Sequence, residues 1–200
     1  MVNRNLIEHK YIVIHHSGVL NSENDLKGEK QWKAICKNYQ KNWSKKYPWV
    51  TAPYHYGIGK RGDIFNGQDE NSFCIHAGDD FYNYRSIAVC FIGNFEVEEM
   101  NDNQLLSGVN LVKDLMKKYD ISIEEILKHK DLIITQCPGK NFPWEKFTNK
   151  ILDIPQYKYD SIEFGIKTGL IKNSHRPDEI VDFGTLLTIL KNFYEVIKNG

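Results

Sequence analysis

The sequence predicts an α/β domain, a central mixed β-sheet flanked by helices, followed by a small helical C-terminal module. Three observations carry this reading. Two apolar, β-branched runs, Tyr11–Ser17 and Ser86–Ile92, read as strands buried on both faces. Segments with apolar residues at helical spacing lie between and after them. The pattern then changes character at Pro155.

The first strand, YIVIHHS, ends in two histidines, so its polar residues gather at one end. From Glu29 to Trp43, the residues Trp32, Ile35, Cys36, Tyr39 and Trp43 mark one face of a helix, and Pro48 and Pro53 punctuate the loop after it. Tyr54–Lys60 and Asp63–Asn66 flank Lys60-Arg61-Gly62-Asp63, a turn in which Gly62 can supply positive φ, and this predicts a β-hairpin. Gly93 and Asn94 end the strand SIAVCFI. Asn101 with Gln104 three residues on resembles a capping box, and Leu105, Val109, Val112, Met116 and Tyr119 line a long helix. A short helix is expected at Ile123–Leu127, leading into His129, and an amphipathic one at Phe142–Ile151. A hairpin among alternating strands and helices makes the sheet mixed. Beyond Pro155, Ser161–Ile171 and Val181–Lys198 read as two helices around KNSHRPDE. The expected domains are therefore 1–155 and 156–200. The second is near the size where independent stability is marginal, so docking or homo-oligomerisation through its helices is expected.

With 41% hydrophobic, 12% aromatic and 26% charged side chains in 200 residues, the chain can bury one sizeable core, which excludes collagen-like and disordered classes. Lys plus Arg equals Asp plus Glu at 26 each, and residues 155–200 carry six of each sign, so neither part has the basic footprint of a nucleic-acid binder. The longest apolar run, Ile87–Ile92, is six residues, against ~20 for a spanning helix, so no membrane insertion is expected. MVNRNLIEHK carries no apolar stretch of a secretory signal, which predicts synthesis in the cytoplasm. Cys36, Cys74, Cys90 and Cys137 are too few and scattered for a disulfide framework.

Of seven histidines, three are placed suggestively. His15 and His16 close a buried strand, and successive strand residues point to opposite faces, so only one of them should reach a given site. His129 and Cys137 stand eight positions apart, and Pro138 and Gly139 form a turn that can aim the thiolate back. Two imidazoles and one thiolate make a three-ligand zinc set with an open fourth position, the catalytic pattern. Such a metal lowers the pKa of water to ~7 and polarises a carbonyl, both of which an amide hydrolysis needs.

The strings IVIHHSG, PYHYGIGKRGDIFNG, HAGDDFYNYRSIAVCFIGNF and HKDLIITQCPG, in this order, resemble the zinc-dependent N-acetylmuramoyl-L-alanine amidases of the phage-lysozyme and peptidoglycan-recognition-protein type. The likeness covers about residues 8–150. It implies an α/β fold with a mixed sheet, one Zn²⁺ per chain, bacterial peptidoglycan as partner, and cleavage of the amide between N-acetylmuramic acid and L-alanine. His15, His129 and Cys137 match the metal ligands, and His16 a non-ligand position. Tyr54 matches the catalytic tyrosine, whose neutral hydroxyl can donate to a developing oxyanion. Thr135 falls where some phage members carry an essential lysine and recognition proteins often carry threonine; it can hydrogen-bond but supplies no charge. Cys90 and Cys137 stand where cytoplasmic anhydromuramyl-peptide amidases carry a glutamate and an aspartate, so the resemblance is to the other branch. His76, Asn83 and Arg85 are expected to bind substrate, and His55 to be a hydrogen-bonded core histidine.

This implies an endolysin-type hydrolase, made in the host cytoplasm and acting on the wall after release. The alternatives are a recognition module that binds peptidoglycan without cutting it, a host autolysin of the same family, and a cysteine hydrolase with Cys137 as nucleophile. The last 45 or so residues resemble short helical units that follow wall hydrolases, which implies wall binding or self-association.

Overall fold

The computed structural model describes residues 5, 8–20, 28–154, 164–168 and 183–199. The chain divides into two compact units, Met1–Ile151 and Leu152–Gly200. In the first, five strands form one sheet: β1 (Tyr11–His16), β2 (Tyr56–Ile58), β3 (Ile64–Asn66), β4 (Ser86–Phe91) and β5 (Ile126–Lys128). Their order is β3-β2-β4-β1-β5. Only β2 and β3 pair antiparallel; β2–β4, β4–β1 and β1–β5 are parallel. The mixed sheet flanked by helices that the sequence predicts is the architecture found.

Alternation along β1 and β4 divides the sheet into two different faces. Ile12, Ile14, Ile87, Val89 and Phe91 point to one side and pack with Leu105, Val109, Val112 and Leu115 of α3 (Asp102–Tyr119) and Phe147 and Ile151 of α4 (Trp144–Ile151). This is the main core. Phe91 meets Phe142 and Phe147 edge-on, with centroids 5.1 and 5.8 Å apart, and such pairs add ~0.5–1.5 kcal/mol each beyond area burial. Gly108 lets α3 come close, since a Cβ there would lie 2.3 Å from the Phe91 ring. The opposite face of β4 carries Ser86, Ala88 and Cys90, all small. That face is shared by His15, which pairs with Cys90, and lies near α1 (Glu29–Trp43), whose Trp32 packs with Ala52 and Cys90.

Several local expectations hold, and three change. The hairpin turn has Gly62 at φ 86°, with Gly62 N–H donating to the Gly59 carbonyl. Asn101 caps α3 by accepting from Gln104 N–H at 3.0 Å, but the Gln104 amide does not return to the cap. It is buried and donates instead to the carbonyls of Ile58 and Ile92, tying the helix to the sheet. Strand β2 begins at Tyr56 rather than Tyr54, because the His55 ring, not its carbonyl, accepts from Ala88 N–H. The expected helix at Ile123–Leu127 is a single 3₁₀ turn, Ile123–Glu125, followed by β5. A further short helix, α2 (Asp80–Asn83), is capped by the Asp79 carboxylate accepting from Phe81 N–H.

In the second unit, residues 164–167 are helical and α5 spans Phe183–Asn199. Most of the helix expected at Ser161–Ile171 lies outside the described residues. Among the described residues, no helix is long and apolar enough to cross a membrane.

One polar cluster fastens the hairpin side to α3. Glu70 accepts from Lys118 Nζ at 2.6 Å and from the hydroxyls of Tyr56 and Tyr119, and Tyr119 stacks on His9 with centroids 4.0 Å apart. Burial works to raise the Glu70 pKa, but these donors outweigh it and hold it down at about 2. A depressed folded pKa gives stability that is present above the usual carboxylate value and lost as pH falls towards 2. Glu70→Gln should therefore lower the urea midpoint at pH 7, by a free energy on the order of 1–2 kcal/mol after solvent screening of the exposed lysine. The gap from the parent should narrow between pH 5 and pH 3, and a gap independent of pH would show that the charge contributes nothing.

Candidate metal centre

His15 sits near the C-terminal end of β1 with no exposed surface. Because β5 runs parallel to β1 with Ile14 opposite Lys128, the next residue, His129, emerges beside it. Their ring centroids are 4.5 Å apart. The loop after His129 returns Cys137 to the same place: Lys130 N–H donates to the Cys137 carbonyl at 2.9 Å, and Gly139 N–H to the Gln136 carbonyl at 2.7 Å. The thiol is then fixed from the strand side, since His16 N–H donates to Cys137 Sγ at 3.3 Å.

One ligand atom from each of His15, His129 and Cys137 lies within 4.8 Å of the others. His15 Nδ1 is 3.8 Å from Cys137 Sγ. A tetrahedral zinc with ordinary bond lengths separates nitrogen and sulfur donors by about 3.6 Å, so the set fits such an ion with little adjustment. The chemistry of the donors fits too. Burial lowers the pKa of His15 well below the usual imidazole value, reinforced by His76, His129 and His16, and burial also lowers that of His129. Both rings are therefore neutral, the form that ligates. Burial pushes the Cys137 thiol up to about 12, a thiol that only a nearby cation would ionise. His129 Nε2 is buried without a hydrogen-bond partner.

The remaining predicted residues divide by position. Tyr54 is half-buried with its ring 5.0 Å from that of His15, and burial, then the neighbouring Cys90 and Cys137, raise its pKa well above the usual phenol value. Its hydroxyl stays protonated and interacts with the Cys90 thiol. Thr135 Oγ1 accepts from Cys137 N–H at 3.3 Å, which places it in the loop that presents the thiol. His16 points away, its Nδ1 accepting from Phe95 N–H. His55 is a core histidine: Nδ1 accepts from Ala88 N–H, Nε2 donates to the Ser72 carbonyl, and burial lowers its pKa to about 4.

The three expected substrate contacts have other partners. His76 is buried, with Nδ1 on His15 and Nε2 on Ser86. Asn83 is buried and its Oδ1 accepts from His76 N–H and Ala77 N–H. Arg85 precedes β4, at the opposite end of that strand from Cys90, where Nε meets Glu8 at 2.9 Å and the guanidinium lies 4.4 Å from the Phe81 ring centroid. The structure thus does not bring Arg85 to the cluster, and turns His76 and Asn83 inward. Ser86 escaped the sequence reading altogether. Its signal was a lone hydroxyl opening a strand otherwise apolar, SIAVCF.

A family model described as N-acetylmuramoyl-L-alanine amidase matches residues 5–140, more than half of the chain. The chain belongs to this amidase family. It is 26% identical over 130 residues to peptidoglycan-recognition protein SC1a of Drosophila melanogaster, covering 64% of this chain and 67% of that protein. To the endolysin of Enterobacteria phage T3 it is 30% identical over 113 residues, covering 53% and 72%. Among solved structures, the N-acetylmuramoyl-L-alanine amidase LysC from Clostridium intestinale URNW superposes with TM-score 0.60 at 30% identity, over 74% of this chain and 87% of that one. Drosophila PGRP-LB gives TM-score 0.58 at 27% identity, over 72% and 83%.

For this amidase-family chain the convergent donors make a direct prediction. After incubation with zinc and desalting, elemental analysis should find one zinc per chain, and Cys137→Ser should lose most of it while keeping its circular-dichroism spectrum. Full retention of zinc by that variant would remove Cys137 from the ligand set.

Proposed function

We propose that this chain is an endolysin-type amidase that hydrolyses the bond between N-acetylmuramic acid and L-alanine in bacterial peptidoglycan, with zinc held by His15, His129 and Cys137. The observation that carries the reading is the meeting of two neutral imidazoles and one thiol at the end of a central strand, inside a chain of the amidase family. Relatives named endolysin and amidase support the hydrolytic branch of that family over recognition alone. When bound, the metal supplies a Lewis acid and lowers the pKa of water.

The rest of the chemistry belongs to the chain itself. Tyr54 stays protonated because its surroundings disfavour the phenolate, so its hydroxyl can donate a hydrogen bond to the scissile carbonyl oxygen as that oxygen gains charge. A donor of this kind works through placement, and the reading is supported by the Tyr54 ring lying 5.0 Å from that of His15. Thr135 holds Cys137 through the backbone and adds no charge. A cysteine nucleophile is disfavoured by the same burial that raises the Cys137 pKa, since thiol nucleophiles need a stabilised thiolate.

Digestion of purified sacculi should release new amino groups on L-alanine without new reducing sugar ends. Chelation should abolish this and zinc restore it. New reducing ends would identify a glycosidase, and binding without release would identify a recognition module. Tyr54→Phe should retain zinc and lose about 10²–10³ in turnover, the usual cost of one oxyanion donor. Unchanged turnover would take Tyr54 out of the mechanism.

A further inference from the structure

Behind His15, a line of hydrogen bonds runs away from the metal donors into the protein. His15 Nε2 is 3.0 Å from His76 Nδ1, His76 Nε2 is 3.1 Å from Ser86 Oγ, and Ser86 Oγ is 2.6 Å from the Tyr82 carbonyl. His15, His76 and Ser86 are all buried. The last link has only one sense, because a carbonyl accepts and never donates, so the single Ser86 hydroxyl proton must point at Tyr82. Towards His76, Ser86 then offers lone pairs alone. His76 Nε2 therefore carries a proton, and in a neutral ring this leaves Nδ1 as an acceptor. His15 Nε2 must in turn be the donor. The lone pair of His15 falls on Nδ1, the nitrogen that lies 3.8 Å from Cys137 Sγ.

We propose that His76 and Ser86 are positioning residues that fix the tautomer of His15 and so present Nδ1 to the metal, with the Tyr82 carbonyl setting the direction of the whole line. This rests on the ligand assignment proposed above. Metal-bound histidines usually give their outer N–H to a carboxylate, a backbone carbonyl or water, which orients the ring and holds its tautomer. Here two side chains extend that connection to a carbonyl on α2. The same helix secures the middle member, since the Asn83 side chain accepts from the backbone N–H groups of His76 and Ala77. β4 contributes the hydroxyl itself, since Ser86 opens the strand with no exposed surface.

Two measurements test this. In the zinc-free parent protein, long-range ¹H–¹⁵N correlation of the imidazole rings should show both His15 and His76 as Nε2–H tautomers; an Nδ1–H form of either ring overturns the proposal without any mutation. In zinc competition against a chromophoric chelator, Ser86→Ala and His76→Phe should each weaken zinc binding about 10–100-fold, the usual cost of losing an outer-shell partner. Ser86→Thr, which keeps the hydroxyl, should stay within about threefold of the parent, a recovery that a purely space-filling role for residue 86 would not give. Parent-like zinc affinity in folded Ser86→Ala and His76→Phe would overturn the relay while leaving the ligand assignment intact. A parent chain that takes up no zinc would overturn both.

Discussion

A histidine ring with no access to water has two nitrogens to satisfy, and His15 is such a ring near the end of an interior strand of the sheet. A buried polar atom left without a partner costs about 1–3 kcal/mol, so neighbouring elements must come to it. On one side they do so through His76 and Ser86. On the other, His129 and Cys137 arrive from β5 and the loop behind it, with Cys137 Sγ 3.8 Å from His15 Nδ1 and all three donor atoms within 4.8 Å of one another. The same demand explains why α2, only four residues long, is ordered by its own Asp79 cap: it supplies the Tyr82 carbonyl and the Asn83 clamp on which the inner side depends.

The asymmetry of β4 makes these contacts fit. Large residues on one face, Ile87, Val89 and Phe91, build the core with α3 and α4, while Ser86, Ala88 and Cys90 leave the other face shallow. Two imidazoles occupy that depth: His55 accepts from the Ala88 N–H, and His76 reaches the Ser86 hydroxyl. Stability and site are therefore set by alternate residues of a single strand.

Much of this was legible from the residues, for identifiable reasons. β1, α1, the hairpin and α3 have strong periodicity or caps, and the resemblance drew attention to His15, His129 and Cys137. β5 was missed because three residues cannot display alternation, although its parallel pairing with β1 is what carries His129 to His15. Spacing alone makes Gln104 a cap partner, because it shows neighbours along the chain and not the open carbonyls of Ile58 and Ile92 across the sheet. His76 is expected from the sequence to line the groove near the metal, and Asn83 and Arg85 to meet stem-peptide carboxylates. The inward partners of His76 and Asn83 depend on burial, which is a property of the folded chain and not of spacing.

The loop bearing Cys137 bears on the residue the resemblance left in question. Two of the proposed ligands stand on or directly beyond strand ends, but the third must be held by local bonds, and the Thr135 hydroxyl is one of them, accepting from Cys137 N–H. A lysine side chain has donors and no acceptor, so it could not make this bond. Threonine at this position therefore does something lysine cannot: it helps to fix the thiol that His16 N–H also grips. Where the resemblance would allow a lysine, this chain has instead a hydroxyl bonded to the backbone of a proposed ligand. Under the proposed chemistry, oxyanion stabilisation then falls to the metal and to Tyr54, whose ring lies 5.0 Å from that of His15.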